Sequence, residues 1–111
     1  MRVWYFVRDL DAGRAFYTGK LGFSETYVDE EDRWAKLERG EMHIALAEGE
    51  PQEDGGVATV DVEDVKAEGE RLRADEVEVG TVLELHGEVR ILDVFDPDGN
   101  RLQLVEDVSS R

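Results

Sequence analysis

The sequence predicts an α+β fold built from two βαβββ modules whose sheets curl into a cup. Three observations carry this. A strand–helix–strand–strand–strand order can be read twice along the 111 residues. Each helix opens on an aspartate, Asp9 or Asp64, placed to accept first-turn backbone N–H groups. The two passes also overlay: Val3, Tyr5, Val7, Asp9 and Leu10 fall on Ala58, Val60, Val62, Asp64 and Val65, and Ile44, Leu46 and Glu48 fall on Leu102, Leu104 and Glu106. Apolar matches apolar and cap matches cap, as in a duplicated unit that shares one interface. The chain reads as a single domain, 1–111, with module 1 at about 1–49 and module 2 at about 56–106.

The elements follow in order. Residues 2–8 are β-branched and aromatic and read as a strand. A short helix runs from Leu10 to about Thr18 and is stopped by Gly19 and Gly22. Phe23 to Val28 is a strand, and Asp29 to Asp32 is an exposed acidic turn. Trp34 to Glu38 and Met42 to Ala47 pair across Arg39-Gly40-Glu41. Glu48 to Gly56 is a polar linker. Val57 to Val62 is the next strand, and Val65, Gly69 and Leu72 mark one face of the second helix. Glu76 to Leu85 and Glu88 to Phe95 are strands. Asp96-Pro97-Asp98-Gly99 is a tight turn with Pro pre-setting φ. Arg101 to Val105 is the last strand, followed by a loose tail after Glu106.

Composition excludes several functions. Asp and Glu number 28 against 13 Lys and Arg, a formal net charge of −15. Such a surface repels phosphate backbones and anionic membranes, so neither nucleic acid nor membrane is expected as a partner. The absence of Cys removes disulfides, thiolate catalysis and Cys-ligated metals. No apolar run approaches the roughly 18–20 residues of a membrane span. The N-terminal stretch lacks a signal-peptide pattern, so a cytoplasmic location is expected. The acidic runs at 29–32 and 48–54 lack the Gly-punctuated spacing of a calcium loop and read as solvated loops.

Strand alternation divides the side chains. Positions 3, 5, 7, 44, 46, 58, 60, 62, 102 and 104 face the helices. The opposite face carries Arg2, Trp4 and Phe6, then His43, Ala45 and Ala47. From the second module it takes Val57, Thr59 and Asp61, then Arg101, Gln103 and Val105. Aromatic, small and polar side chains together suit a small-molecule pocket. His43 is the candidate general base or polar anchor, the alternative being a simple hydrogen bond to a neighbouring strand. Trp4, Phe6, Tyr27 and Trp34 are candidates for a stacking wall, or for packing. Arg2, Arg90 and Arg101 are candidates to clamp an anion, or to pair with surface carboxylates. His86, beside Gly87, reads as a solvated turn residue.

The chain resembles the vicinal oxygen chelate superfamily, the glyoxalase/bleomycin-resistance/dioxygenase group. The match lies in Val7-Arg8-Asp9-Leu10-Asp11, in Phe16-Tyr17-Thr18-Gly19-Lys20-Leu21-Gly22-Phe23, in Val62-Glu63-Asp64-Val65 and in the run from Asp96 to Glu106. The resemblance implies two βαβββ modules around a cup-shaped pocket, commonly in a homodimer. In metal-dependent members, His and Glu on the first and last strands of each module bind a divalent ion. Here those four positions carry Arg2, Ala45, Val57 and Gln103. Val and Ala offer no donor, Arg is a fixed cation, and Gln offers one weak oxygen, whereas such an ion needs three or four His or carboxylate ligands. The reading is therefore a homodimer that binds or sequesters a small organic molecule, with no metal and no cofactor. The alternative is a metal-dependent lyase, isomerase or dioxygenase of the same superfamily.

Overall fold

A computed structural model describes residues 2–51 and 57–109, Arg2 by its backbone alone. Strand β1 (Arg2–Val7) leads into helix α1 (Leu10–Gly19), and Asp9 accepts from the Ala12 N–H at 3.2 Å as the expected cap. Gly13 lets this helix press on β1: a Cβ there would lie 3.1 Å from Val7 Cγ2. Strands β2 (Ser24–Asp29), β3 (Trp34–Arg39) and β4 (Met42–Glu48) complete the first half. Asp29 Oδ1 folds the acidic turn by accepting from the Glu31 and Asp32 N–H groups. Of the second acidic run, residues 52–54 lie outside the described residues.

The second half repeats the order. Strand β5 (Ala58–Asp61) leads into helix α2 (Val65–Ala74), where Asp64 accepts from the Ala67 N–H at 3.0 Å. Next come β6 (Glu78–Val79), β7 (Leu83–Leu85), β8 (Val89–Phe95) and β9 (Arg101–Asp107). The sequence suggests one strand from Glu76 to Leu85, and the structure divides it in two. Both pieces pair antiparallel with β8, Val79 with Val94 and Leu83 with Ile91, which no continuous ladder satisfies. Gly80 still keeps the first register, its N–H reaching Asp93 O at 2.9 Å, and the slip falls between it and Leu83. The chain end is also better held than expected. After β9, the Val108 N–H donates to Glu88 O at 2.8 Å and its side chain is buried.

The first sheet has the order β1-β4-β3-β2 and the second β5-β9-β8-β6, with β7 also on β8. In each, the opening strand runs parallel to the closing one, β1 with β4 and β5 with β9. One core spans both halves, from Tyr5, Val7, Leu10, Tyr17, Ile44 and Leu46 to Val60, Val65, Leu72, Leu92, Leu102 and Leu104. No helix among the described residues is long and apolar enough to cross a membrane.

Buried polar groups join the halves. The Tyr5 hydroxyl accepts from the Ala58 N–H at 2.8 Å and donates to Arg101 O. The Tyr17 hydroxyl donates to Asp96 Oδ2 at 2.8 Å, and Asn100 Nδ2 bridges the same carboxylate to Phe6 O. Burial pushes the Tyr5 phenol up to about 12, and burial with the Asp96 charge raises Tyr17 further, so both remain neutral donors. The sequence duplication recurs as a device at the helix starts. Glu48 Oε2, at the end of β4, accepts from the Leu10 N–H at 3.1 Å, and Glu106 Oε1, near the end of β9, accepts from the Val65 N–H at 2.9 Å. A carboxylate at a helix N-terminus is favoured by both the free N–H groups and the dipole.

Candidate functional site

The helices pack on one side of the sheets, which leaves the other side open. Cross-strand register sorts the open-face residues into rows. In the first sheet, Trp4, Ala45, Lys36 and Tyr27 form one row, and Phe6, Ala47, Trp34 and Asp29 the next. Arg2, His43, Glu38 and Ser24 form a third, placed by backbone register. In the second sheet, Thr59 aligns with Gln103 and Asp93, and Asp61 aligns with Val105, Ile91 and Leu83. Val57, half-buried, directly precedes β5.

The aromatic residues converge. Ala45 and Ala47 are small, so the rings beside them can lean together across the strand between them. The centroids of Trp4 and Trp34 lie 5.8 Å apart, and those of Tyr27 and Trp34 lie 5.1 Å apart. These spacings are within the range of attractive aromatic pairs. Trp4 and Tyr27 are nonetheless 48% and 47% exposed, which leaves ring surface for another molecule. The Lys36 ammonium sits 5.5 Å from the Trp34 centroid and 5.7 Å from that of Tyr27, within cation–π reach of both.

Tyr27 joins this cluster just past a β-bulge. Glu25 pairs with Leu37, but Tyr27 pairs with Lys36, so Thr26 is an extra residue in β2. Unbroken alternation from Glu25 would give Tyr27 to the helix side, where Val28 in fact packs on the core. With Thr26 bulged out, Tyr27 keeps the open face.

Polar groups on that face are mostly engaged with one another. His43 Nδ1 lies 3.5 Å from Glu38 Oε2, both about half exposed. Arg101 Nη1 lies 3.7 Å from Asp93 Oδ2, and Gln103 Nε2 donates to Asp93 Oδ1 at 3.1 Å. Arg90 lies on the other side of β8, across from Glu106, and pairs there with Glu84 at 3.1 Å and the buried Glu106 at 3.5 Å. His86 is exposed, with φ at 54° in the turn before Gly87. Where the β3–β4 turn meets β5, a cleft of about 320 Å3 is lined by Arg39, Gly40, Glu41, Met42, Thr59 and Asp61. It takes in Thr59 and Asp61 of the expected site. A cleft of about 500 Å3 lies away from the rings, between Phe16, residues 76–78 and the turn at 95–99.

The four positions where the resemblance implies metal ligands do not fit a divalent ion. Ala45 is fully buried and, like Val57, brings no side-chain donor, and the Gln103 amide is held by Asp93. Arg2 is a fixed cation. Among the described residues, no three His, Asp or Glu side chains are grouped to hold a metal.

Lys36, Leu83 and Leu85 are open-face residues that the sequence reading did not single out. Alternation of buried Ala35 and Leu37 with Trp34, Lys36 and Glu38 was the available signal for Lys36. The leucines were hidden by the break around Gly80.

Comparison with known proteins gives this fold a family. The model of the Glyoxalase/Bleomycin resistance protein/Dioxygenase superfamily matches residues 2–104. A superfamily member from Sphaerobacter thermophilus aligns with a TM-score of 0.82 at 21% identity, over 96% of this chain and 94% of that one. TnmS3, an antibiotic binding protein from Streptomyces, aligns at 0.78 and 22% identity, over 96% and 93%. A fosfomycin resistance protein from Listeria monocytogenes, solved with Mn(II) and 1S,2S-dihydroxypropylphosphonic acid, aligns at 0.77 and 20% identity, over 96% and 88%. No curated protein matches significantly by sequence. With its duplicated topology and a family match from the first strand into the last, the chain belongs to the Glyoxalase/Bleomycin resistance protein/Dioxygenase superfamily.

Proposed function

We propose that this protein binds a small organic molecule on the open face of its sheets, without a metal ion, and holds it without converting it. The observation that carries the reading is the cluster of Trp4, Trp34 and Tyr27, partly exposed on a face whose expected metal positions offer almost no donors. Exposed rings ordered against one another give a stacking surface at low entropic cost. The antibiotic binding protein among the structural relatives is a precedent for binding on this fold.

A homodimer is part of the reading. Leu83 and Leu85 are 57% and 42% exposed on the same face as the rings, and a second copy would cover them and deepen the pocket. The net charge of −15 sets the surface against nucleic acid and anionic membranes, and a cysteine-free chain suits a cytoplasmic setting.

A second reading makes the protein a lyase, isomerase or dioxygenase of the superfamily, with His43 moving a proton. Its support is the His43–Glu38 pair on the open face. The test is a thermal-shift screen of small organic molecules in chelator, with mass spectrometry of the recovered ligand. Binding raises the melting temperature by linkage, and the reading expects the ligand back unchanged. A ligand recovered as a different compound, or binding only after a metal is added, would favour the enzyme.

A further inference from the structure

We propose that the Trp4–Trp34–Tyr27 cluster is a subsite for a planar aromatic anion, and that Lys36 is the residue selecting negative charge. The inference rests on the reading that the open face binds an organic molecule, and adds the class of molecule.

The argument begins with what neutralises the cations of this face. Arg101 has Asp93, and His43 lies beside Glu38. Lys36 has no carboxylate partner among the described residues, in a chain with 28 acidic side chains. The nearest acids by register are engaged elsewhere. Glu38 is beside His43, and Asp29, opposite Trp34, accepts two backbone N–H groups of its own turn. What holds Lys36 is the pair of rings, at 5.5 and 5.7 Å.

A cation already seated over the rings changes what they recognise. Bare aromatic faces attract a ligand cation. The Trp34 and Tyr27 rings already carry the Lys36 ammonium, so a second cation meets repulsion there, whereas an anion meets an ammonium with spare hydrogen-bond donors. A flat ring laid on the exposed Trp4, in the same cross-strand row as Lys36, would bring a carboxylate or sulfonate substituent toward that ammonium. The bulge at Thr26 accords with the same assignment, because it leaves Tyr27 opposite Lys36 in an otherwise regular ladder. The net charge of −15 opposes an anion at long range, but screening confines such fields to about 8 Å at physiological salt, so contact decides.

The test uses three probes of one shape: 2-naphthoate, 2-naphthamide and 2-naphthylmethyl-trimethylammonium. Calorimetry gives the affinities. The indole N–H resonances give the location, since the chain's two tryptophans both lie in the cluster. The expected result is that naphthoate binds roughly tenfold more tightly than the amide and the ammonium more weakly than either, with both indole signals shifting. Lys36→Gln should abolish the preference, and Lys36→Arg should keep it. Equal affinities with shifted indoles, or a preference that survives Lys36→Gln, would overturn charge selection and leave the organic-ligand reading standing. If no probe binds, or binding leaves the indoles unmoved, both fall for this face.

Discussion

Tyr27 stands across from Lys36 with Thr26 bulged out of the ladder just before it, so the extra residue does not turn Tyr27 to the helix side. Deleting Thr26 should therefore heal the ladder without moving Tyr27, since Glu25 would still pair with Leu37 and Tyr27 with Lys36. The expected outcome is a folded protein within about 1 kcal/mol of wild type, with the near-ultraviolet circular dichroism of its aromatic cluster retained. Loss of that signal would show that the bulge does more than set phase.

The Tyr17–Asp96 hydrogen bond ties α1 to the turn between β8 and β9. Tyr17→Phe removes the hydroxyl and leaves a buried carboxylate one donor short. The expected cost is about 1–3 kcal/mol in urea unfolding, with little change in m-value. Tyr5→Phe strands the Ala58 N–H and Arg101 O between the two halves and should cost a similar amount. A change below about 0.5 kcal/mol in both would mean that water replaces the phenols easily.

Acid stability should depend on Glu48. Hydrogen bonds from the Arg33 guanidinium, and then from the Leu10 N–H, hold its carboxyl below the ordinary 4.5. A depressed folded-state value contributes stability that is present above 4.5 and is lost as pH falls through the folded value. Wild type should therefore exceed Glu48→Gln in stability at neutral pH, with the gap closing below pH 4.5. Denaturant titrations over a pH series measure this, and a gap independent of pH would contradict it.

Ligand binding should weaken on Trp34→Ala more than on Arg101→Ala. Trp34 contacts both Trp4 and Tyr27, so its removal dismantles the stacking surface. A lost aromatic contact of about 0.5–1.5 kcal/mol corresponds to a two- to tenfold rise in Kd by calorimetry. Arg101 is already paired with Asp93, and its loss should change Kd less than twofold.

Much of this architecture is legible in the sequence, because it repeats there. Asp9 and Asp64 cap their helices as their positions suggest, and Glu48 and Glu106, matched in the overlay, take equivalent places at the helix starts. Alternation places Trp4, Phe6, Thr59 and Gln103 on faces that the register reproduces. What was hidden are the departures from period two. The Thr26 bulge and the break after Gly80 each shift register within a strand, and a shift by one residue exchanges the faces of all that follow. Lys36 was overlooked for another reason: a lysine on a strand reads as solvated, and only the convergence of Trp34 and Tyr27 gives it a role.

The central claim is that this face holds an organic guest without an ion. The most direct test is the calorimetric Kd of the tightest-binding planar probe, measured on the same preparation with and without excess EDTA. The account predicts one Kd, equal within twofold under both conditions. A Kd that rises tenfold or more in EDTA and recovers when a divalent metal is restored would contradict it.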